Sequence, residues 1–288
     1  MDTPISYGTL YVVATPIGNL EDMTFRAVSI LKQVDLIAAE DTRHSKRLLD
    51  HYGIDTRMIS CHEHNEADKI PLFIAHLKNG LSLALISDAG TPTVSDPGYP
   101  LVRAAAKESI PVLPIPGCSA VIAGLSVSGL PTDTFYFSGF PPKKTGKLKQ
   151  ALESLKDQKA TLIFYESPRR IKILIQTLIQ ILGDRQACLT REVSKIHEEY
   201  LRGNLSEILE ILDGKEVIKG ECSLFVQGCG PGEVRIDEET LEKIILDRLA
   251  ATDLATSELS RQIAEKTGLP KKRIYDMILK LSPSGPGR

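Results

Sequence analysis

The sequence predicts an α/β protein made of two α/β units and a small helical tail. Its 288 residues exceed what one compact core usually holds, which suggests about two domains. Short apolar runs alternate with helical patterns, as in sheets that are covered by helices. The composition changes after residue 230, where Pro231 and Gly232 open a linker-like segment. We therefore expect units at 1–117 and 118–230, followed by a linker and small helical tail at 231–288.

The first unit alternates strands and helices regularly, which predicts a parallel or mostly parallel sheet with helices on both faces. The expected strands are 9–16, 35–40, 58–61, 83–88 and 112–116, and the expected helices are 24–33, 42–51, 66–79 and 98–108. Each strand ends in a polar or proline-containing turn, in order TPIGN, EDTRHS, HEHNE, SDAGTP and PIPGCS. Because open α/β sheets bind ligands at the carboxyl ends of their strands, five such turns predict a site at one rim.

A helix of small residues at 119–130 leads into the second unit. Strands are expected there at 135–140, 161–166, 187–192 and 222–228, and helices at 147–156, 168–182 and 206–213. Residues 198–203 add a further candidate strand, so the sheet is expected to be mixed. In the tail, helices are expected at 238–249, 256–267 and 270–280. The last two resemble a helix–turn–helix, which either docks on a nucleic acid or is a packing appendage with a solvated basic turn.

Composition narrows the class of protein. A net charge of −2 does not point to a general polyanion-binding surface, so any nucleic acid must be met by local basic patches. The five cysteines are scattered without a C-x-x-C pair, which favours free thiols in a reducing cytosol over disulfides or zinc. The sequence has neither a secretory signal pattern nor an apolar run long enough for a membrane span. A cytoplasmic protein without membrane contact is therefore expected.

Residues 83–92, LALISDAGTP, are the most informative stretch of the chain. A buried strand runs into a turn where Gly90 permits close backbone approach, Pro92 stiffens the exit and Asp88 supplies a hydrogen-bond acceptor. The same pattern is also compatible with an ordinary strand-to-helix loop. The turn after the first strand has Gly18, but the chain has neither G-x-G-x-x-G nor a G-K-[ST] phosphate loop. A Rossmann dinucleotide site or a P-loop is therefore disfavoured.

Polar motifs follow other strands of the first unit. Residues 40–44, EDTRH, place two carboxylates, an arginine and an imidazole at a strand end. Thr42 is the candidate cap of the following helix, which leaves Glu40 and Asp41 for function; the alternative is a capping loop with surface ion pairs. Residues 61–64, CHEH, alternate sides in an extended chain, so they disfavour a single metal ion. A pocket wall in which His64 donates to a substrate fits this motif better.

The second unit carries YESPRR at 165–170 and TRE at 190–192, again at strand ends. Glu166 is suited to act as a base or to orient a ribose, and Arg169 and Arg170 to hold phosphate. An interdomain ion-pair network is the alternative. A lysine cluster, Lys143, Lys144, Lys147 and Lys149, either contacts a phosphate backbone or only aids solubility. Together these motifs predict a cleft between the units.

The motifs occur in a recognisable order. Together they resemble the tetrapyrrole-methylase superfamily of S-adenosylmethionine-dependent enzymes, and within it the branch that methylates ribosomal RNA. The motifs that carry the resemblance are, in order, TPIGNLEDMTFRA, AAEDTR, HEHN, SDAGTPTVSDPGYPLV, PIPGCSA, GLPTDTFYFSGFPP, LIFYESPRR and TREVSKIHEEYLRG. The resemblance extends from about Gly8 to Gly228. The tetrapyrrole branch carries a G-x-G-D-P version of the central loop, whereas SDAGT stands at 87–91 here, which favours the RNA branch.

The resemblance implies a two-domain fold with S-adenosylmethionine in the cleft, a homodimer, and 2′-O-methylation of a cytidine ribose in 16S ribosomal RNA or the small ribosomal subunit. The implied cofactor contacts are Pro16, Gly18, Asp88, Ala89, Gly90, Thr91, Ser119, Ala120 and Tyr165. The candidate RNA contacts are Arg43, His64, Lys143, Lys144, Lys147, Arg169, Arg170 and Arg191.

Because a sulfonium methyl is already activated, the protein needs no metal and must mainly align the reactants and accept a proton. The candidate bases are Asp41, Asp96 and Glu166, which the sequence does not rank. Two other functions stay open: a superfamily methyltransferase acting on a tetrapyrrole or a protein, and a non-catalytic RNA-binding assembly protein. A nucleotide hydrolase is disfavoured by the missing P-loop.

Overall fold

The first sheet is fully parallel, as predicted. In the computed structural model, which describes residues 7–230, 238–252, 254–267, 269 and 271–281, its strand order is β3-β2-β4-β1-β5. The strands are β1 (Leu10–Val13), β2 (Leu36–Ala39), β3 (Met58–Ser60), β4 (Leu83–Ile86) and β5 (Val112–Ile115). Every residue of the central strands β2 and β4 is buried, as expected for strands with helices on both faces.

Four helices cover this sheet, two on each face. They are α1 (Phe25–Gln33), α2 (Thr42–His51), α3 (Glu66–Lys78) and α4 (Tyr99–Lys107). Helices α1 and α2 pack their apolar residues on one face, in a cluster that includes Leu31 and Leu49. Helices α3 and α4 pack on the other, around Phe73 and Leu101. Because the strands of this sheet are parallel, their carboxyl ends and the loops that follow them lie at one edge of the sheet.

The second sheet is mixed, also as predicted, with order β6-β7-β10-β8-β9. Its strands are β6 (Phe135–Gly139), β7 (Thr161–Glu166), β8 (Gln186–Arg191), β9 (Glu199–Asn204) and β10 (Cys222–Val226). Strands β6 and β7 are parallel, and the other neighbours are antiparallel. One face packs on α5 (Ala120–Ser128), and the other on α6 (Thr145–Glu153), α7 (Ile171–Leu182) and α8 (Leu205–Asp213).

Among the described residues of the tail there are three helices, α9 (Glu238–Ala251), α10 (Thr256–Thr267) and α11 (Lys271–Leu281). They share an apolar cluster that includes Leu241, Ile263 and Ile278. The basic residues at the start of α11 are exposed. Within the described part of the chain, none of the helices has the length and apolar character that a membrane crossing requires.

Helix α5 approaches the second sheet closely because Gly124 has no side chain. A Cβ at Gly124 would lie 2.4 Å from Cζ of the buried Phe225. We predict that Gly124→Ala lowers the free energy of unfolding by about 1–2 kcal/mol, since overpacking outweighs the helix propensity of alanine. The matched control is Gly146→Ala in α6, where a Cβ meets open space, so that stability should stay equal or rise slightly. Urea denaturation measures both, and equal stability of the two variants would contradict the packing argument.

Candidate functional site

The loops after β1 and β4 are joined by a short backbone bridge. The Thr15 amide donates to the Gly90 carbonyl at 2.9 Å, and the Gly90 amide donates back to the Thr15 carbonyl at 3.0 Å. The Thr15 hydroxyl also donates to the Ser87 carbonyl at 3.1 Å. Gly90 has φ +80°, a conformation that residues with a Cβ rarely adopt. This bridge fixes the floor of the site.

The rest of the β4–α4 loop is strained. Thr93 and Ser95 have φ of 73° and 66°, values that are uncommon outside glycine. The loop ends at Gly98, whose amide donates to the Glu66 carboxylate at 3.0 Å. Strain of this kind persists where the surroundings over-determine the backbone, and it clusters at functional sites. Here it brings Asp96 to the wall of a cavity.

A cavity of about 340 Å³ lies between the edges of the two sheets, within the usual size range for small-ligand sites. The first unit lines it with Ile17, 89–91 and 94–96, and the start of α5 adds Ser119 and Ala120. The second unit contributes Phe140, 165–168 and 220–223. The cavity thus has walls from both sheets, as the sequence motifs predict for a cleft.

Three carboxyl groups line the cavity. Among the described residues, its lining includes Asp96, Glu166 and Glu221 and no lysine, arginine or histidine. Burial raises the pKa of Asp96 to about 6; a hydrogen bond with the Ser87 side chain opposes this shift, and the nearby Glu40 and Asp88 charges add to it. An arrangement of this kind favours a ligand that carries positive charge.

Glu166 is almost fully buried at the end of β7. Its Oε1 accepts from the Ser167 amide at 2.8 Å, and its Oε2 lies 3.5 Å from Nη2 of Arg170. The same nitrogen of Arg170 donates to the Pro142 carbonyl at 3.2 Å. The pair therefore ties the loop after β6 to the end of β7, which is a structural use of both side chains.

A second strained turn holds the wall formed by 220–223. Glu192 and Ser194 have φ of 53° and 65°. Nζ of Lys195 lies 2.9 Å from the Glu192 carboxylate and 3.0 Å from that of Glu221. Gly18 packs directly on this turn, since a Cβ there would lie 2.3 Å from Cγ of Lys195. The first loop and the second unit are thereby in contact.

Most residues expected to contact a cofactor line the cavity, namely Ala89, Gly90, Thr91, Ser119, Ala120 and Tyr165. Pro16, Gly18 and Asp88 are not among the lining residues. Gly18 instead contacts the turn at 192–195, as described above. The Asp88 carboxylate accepts from the Asp41 amide at 3.2 Å, so it joins the loops after β2 and β4.

The three candidate bases have different surroundings. Asp96 and Glu166 line the cavity, whereas Asp41 is outside its lining. Asp41 caps α2 by accepting from the Arg43 amide at 2.8 Å, and this hydrogen bond lowers the pKa of the carboxyl. Its carboxylate is thus used for the helix start, whereas the sequence suggested Thr42 as the cap; Thr42 is instead the first residue of α2.

The candidate RNA contacts also divide into two groups. Exposed side chains are found at Arg43, His64, Lys143, Lys144, Lys147 and Arg169. Arg191 is largely buried; its Nε donates to Glu199 at 2.8 Å and its Nη1 to the Lys219 carbonyl at 3.0 Å. That placement, like the pairing of Arg170 with Glu166, favours a structural role in place of the RNA contact that the motif suggests.

The CHEH motif forms a hydrogen-bonded turn. Asn65 accepts from the His62 amide at 2.9 Å, and the His62 and His64 ring centroids are 6.0 Å apart. In the described part of the chain, no group of three or more His, Cys, Asp or Glu side chains is arranged to hold a metal ion.

The residues at 220–223 line the cavity but were missed by the sequence reasoning. Gly220 and Glu221 precede β10, and Cys222 and Ser223 begin it, whereas the motifs were sought after strands. Because β10 runs antiparallel to β7 and β8, its start lies at the same edge as their ends. In the strand registers, Cys222 of β10 lies opposite Glu166 of β7 and opposite Arg191 of β8. Recognising the antiparallel pairing would have been the signal for these residues.

Comparison with known proteins agrees with this architecture. Residues 9–209 match the family model described as Tetrapyrrole (Corrin/Porphyrin) Methylases. A ribosomal RNA small subunit methyltransferase I from Streptococcus pyogenes serotype M1 is 52% identical over 272 residues, 94% of each chain. A protein of the same name from Halalkalibacterium halodurans is 47% identical over 274 residues, again 94% of each chain.

Solved structures share the fold at lower identity. Uroporphyrin-III C-methyltransferase from Thermus thermophilus, complexed with S-adenosylhomocysteine, has a TM-score of 0.54 at 20% identity and covers 76% of this chain and 96% of its own. Diphthine synthase has a TM-score of 0.58 at 14% identity, with 77% and 90% covered. These likenesses concern the fold alone. On its match to the family model and its identity to the curated relatives, the chain belongs to the ribosomal RNA small subunit methyltransferase I family of the tetrapyrrole methylases.

Proposed function

We propose that this methyltransferase uses S-adenosylmethionine to methylate the 2′-oxygen of a cytidine ribose in the 16S RNA of the small ribosomal subunit. The observation that carries the proposal is the cavity between the two sheets, which both units line and to which Asp96, Glu166 and Glu221 contribute carboxyl groups. The names of the relatives support ribosomal RNA of the small subunit as substrate. The cytidine and its 2′-oxygen come from the resemblance of the motifs.

The cavity suits the cofactor in charge and in shape. The sulfonium and ammonium groups of S-adenosylmethionine carry positive charge, and the lining offers carboxylates. Ala89, Gly90 and Ala120 leave room for close approach, and Tyr165 offers an aromatic surface to an adenine. Burial raises the pKa of Tyr165 to about 12, so its hydroxyl stays neutral. When bound, the cofactor supplies an electrophilic methyl group on its sulfonium.

Filling the cavity tests the cofactor site. We predict that Ala120→Leu weakens S-adenosylmethionine binding at least about tenfold, equal to about 1.4 kcal/mol, because the larger side chain occupies ligand space. The control is Ser126→Leu, which adds similar bulk to the exposed side of the same helix. Titration calorimetry measures both affinities. Equal affinities for the two variants would place the cofactor elsewhere.

Among the candidate bases, we assign the proton transfer to Asp96. Its carboxyl lines the cavity, and a pKa of about 6 leaves it ionised yet basic at neutral pH. Glu166 is held by Arg170, and Asp41 caps a helix outside the cavity lining. In the proposed step the 2′-oxygen bonds to the methyl carbon, the carbon–sulfur bond breaks, and Asp96 accepts the hydroxyl proton.

The pH dependence tests this assignment. A base with a pKa of about 6 is protonated and inactive below that value, so kcat/KM should rise with pH through about 6 and then level off. We predict that Asp96→Asn lowers methyl transfer about 10²–10⁴-fold and abolishes this rise. Asp96→Glu keeps a carboxyl group, so its kcat/KM should still rise with pH. Full activity of Asp96→Asn with intact S-adenosylmethionine binding would assign the proton elsewhere.

The substrate is proposed to approach from the side of the exposed lysines. Lys143, Lys144 and Lys147 are exposed near Phe140, which lines the cavity. RNA phosphates favour such a basic rim over an anionic interior. A ribosomal substrate would place the enzyme in the cytoplasm. The homodimer remains a prediction from the resemblance.

Labelled S-adenosylmethionine and small subunits from a strain lacking this protein test the whole proposal. We expect one labelled ribose in 16S RNA, located by nuclease mapping as a 2′-O-methylcytidine. Large subunits serve as the control and should stay unlabelled. Label on a base, on a ribosomal protein or on no RNA would refute the proposed reaction.

A further inference from the structure

Phe140 is an exposed aromatic residue at the cavity. Its side chain lines the cavity, yet the residue is 63% exposed. Its ring centroid lies 5.5 Å from that of Tyr165, which in turn meets Phe137 edge-on at 5.0 Å. The inner side of Phe140 is thus supported by a small aromatic cluster. The outer side of the ring faces solvent at the mouth of the cavity.

The backbone holds this ring in place. Gly139 has φ +65°, and a Cβ there would lie 3.1 Å from the Ser95 hydroxyl of the opposite wall. Pro141 is buried, and the Pro142 carbonyl accepts a hydrogen bond from Arg170. Two prolines and a guanidinium therefore restrict the segment that carries Phe140. Little conformational entropy of this segment would therefore be lost when Phe140 contacts a ligand.

Charge changes sign across Phe140. The cavity inside it carries Asp96 and Glu221, and exposed Lys143 and Lys144 follow it along the chain. A ligand that spans this boundary needs a positive or neutral end inside and negative groups outside. A nucleotide of an RNA strand meets the outer requirement with its phosphates and presents a flat, uncharged base between them.

We propose that Phe140 stacks on the base of the target nucleotide, unstacked from its RNA neighbours, so that the ribose points into the cavity. This inference rests on the proposed function. Enzymes that act on a base remove it from its stack and hold it against aromatic side chains, and proteins that bind single strands stack bases on aromatic side chains in the same way. Aromatic stacking on a base is tolerant of sequence, so Phe140 positions the nucleotide and does not identify it.

The effect of Phe140→Ala is expected on the RNA substrate and not on the cofactor. With small subunits as substrate, kcat/KM should fall about 10- to 100-fold, mainly through KM. The affinity for S-adenosylmethionine should stay within about twofold. Phe140→Trp should retain activity because it keeps an aromatic face, whereas Phe140→Leu should resemble Phe140→Ala. The matched control is Phe25→Ala, which removes a phenylalanine that is 97% exposed outside the cavity lining.

A second readout separates this inference from the reaction. A short single-stranded RNA carrying the fluorescent base pyrrolocytosine should be quenched by the wild-type chain and by Phe140→Trp, and not by Phe140→Ala. If the wild type methylates no small subunit but quenches this RNA through Phe140, the proposed function fails and the stacking surface stands. Activity and quenching of Phe140→Ala equal to those of Phe25→Ala would overturn the inference. Loss of cofactor affinity matching the loss of activity would also overturn it.

Discussion

The site depends on one backbone constraint, the pair of hydrogen bonds between Thr15 and Gly90. They hold the loop after β4 against the loop after β1, and Gly90 makes them possible through its left-handed conformation. From this fixed point the chain passes through Thr93 and Ser95, whose conformations cost about 1–3 kcal/mol each. The bridge and the Gly98 contact with Glu66 offset that cost, and the result is a carboxyl at Asp96 held on the cavity wall.

The second wall is held by cations that bond inside the protein. Lys195 joins Glu192 to Glu221, and Arg170 joins Glu166 to the carbonyl of Pro142. Of these two cations, Arg170 is a candidate for binding phosphate when only the sequence is read. Their internal pairing compensates the charges of Glu166 and Glu221, so the acidic character of the cavity rests mainly on Asp96. Gly18 completes the arrangement, since its missing side chain lets the first loop touch Lys195.

The sheets were predictable because their strands are continuous apolar runs bounded by turn residues, as in LALI before SDAGTP. The rim of the first sheet was predictable because parallel strands place all their carboxyl ends together. Side-chain partners were not predictable in this way. Arg191 forms an ion pair with Glu199 on the neighbouring strand, a partner that only the folded sheet provides, and Asp41 instead of Thr42 caps α2. Residues 220–223 escaped detection because an antiparallel strand brings its beginning to the same edge.

The distribution of charge explains how a chain with a net charge of −2 can serve two ligands of opposite charge. Carboxylates line the interior, where a cationic methyl donor is favoured, and lysines stand outside, where phosphates are favoured. An RNA backbone is repelled from the interior, so only the part of a nucleotide between its phosphates can enter. That part is the ribose with its base, which is compatible with the proposed methyl transfer to a sugar oxygen. Phe140 lies at the boundary between these two regions, which is the proposed position of the uncharged base.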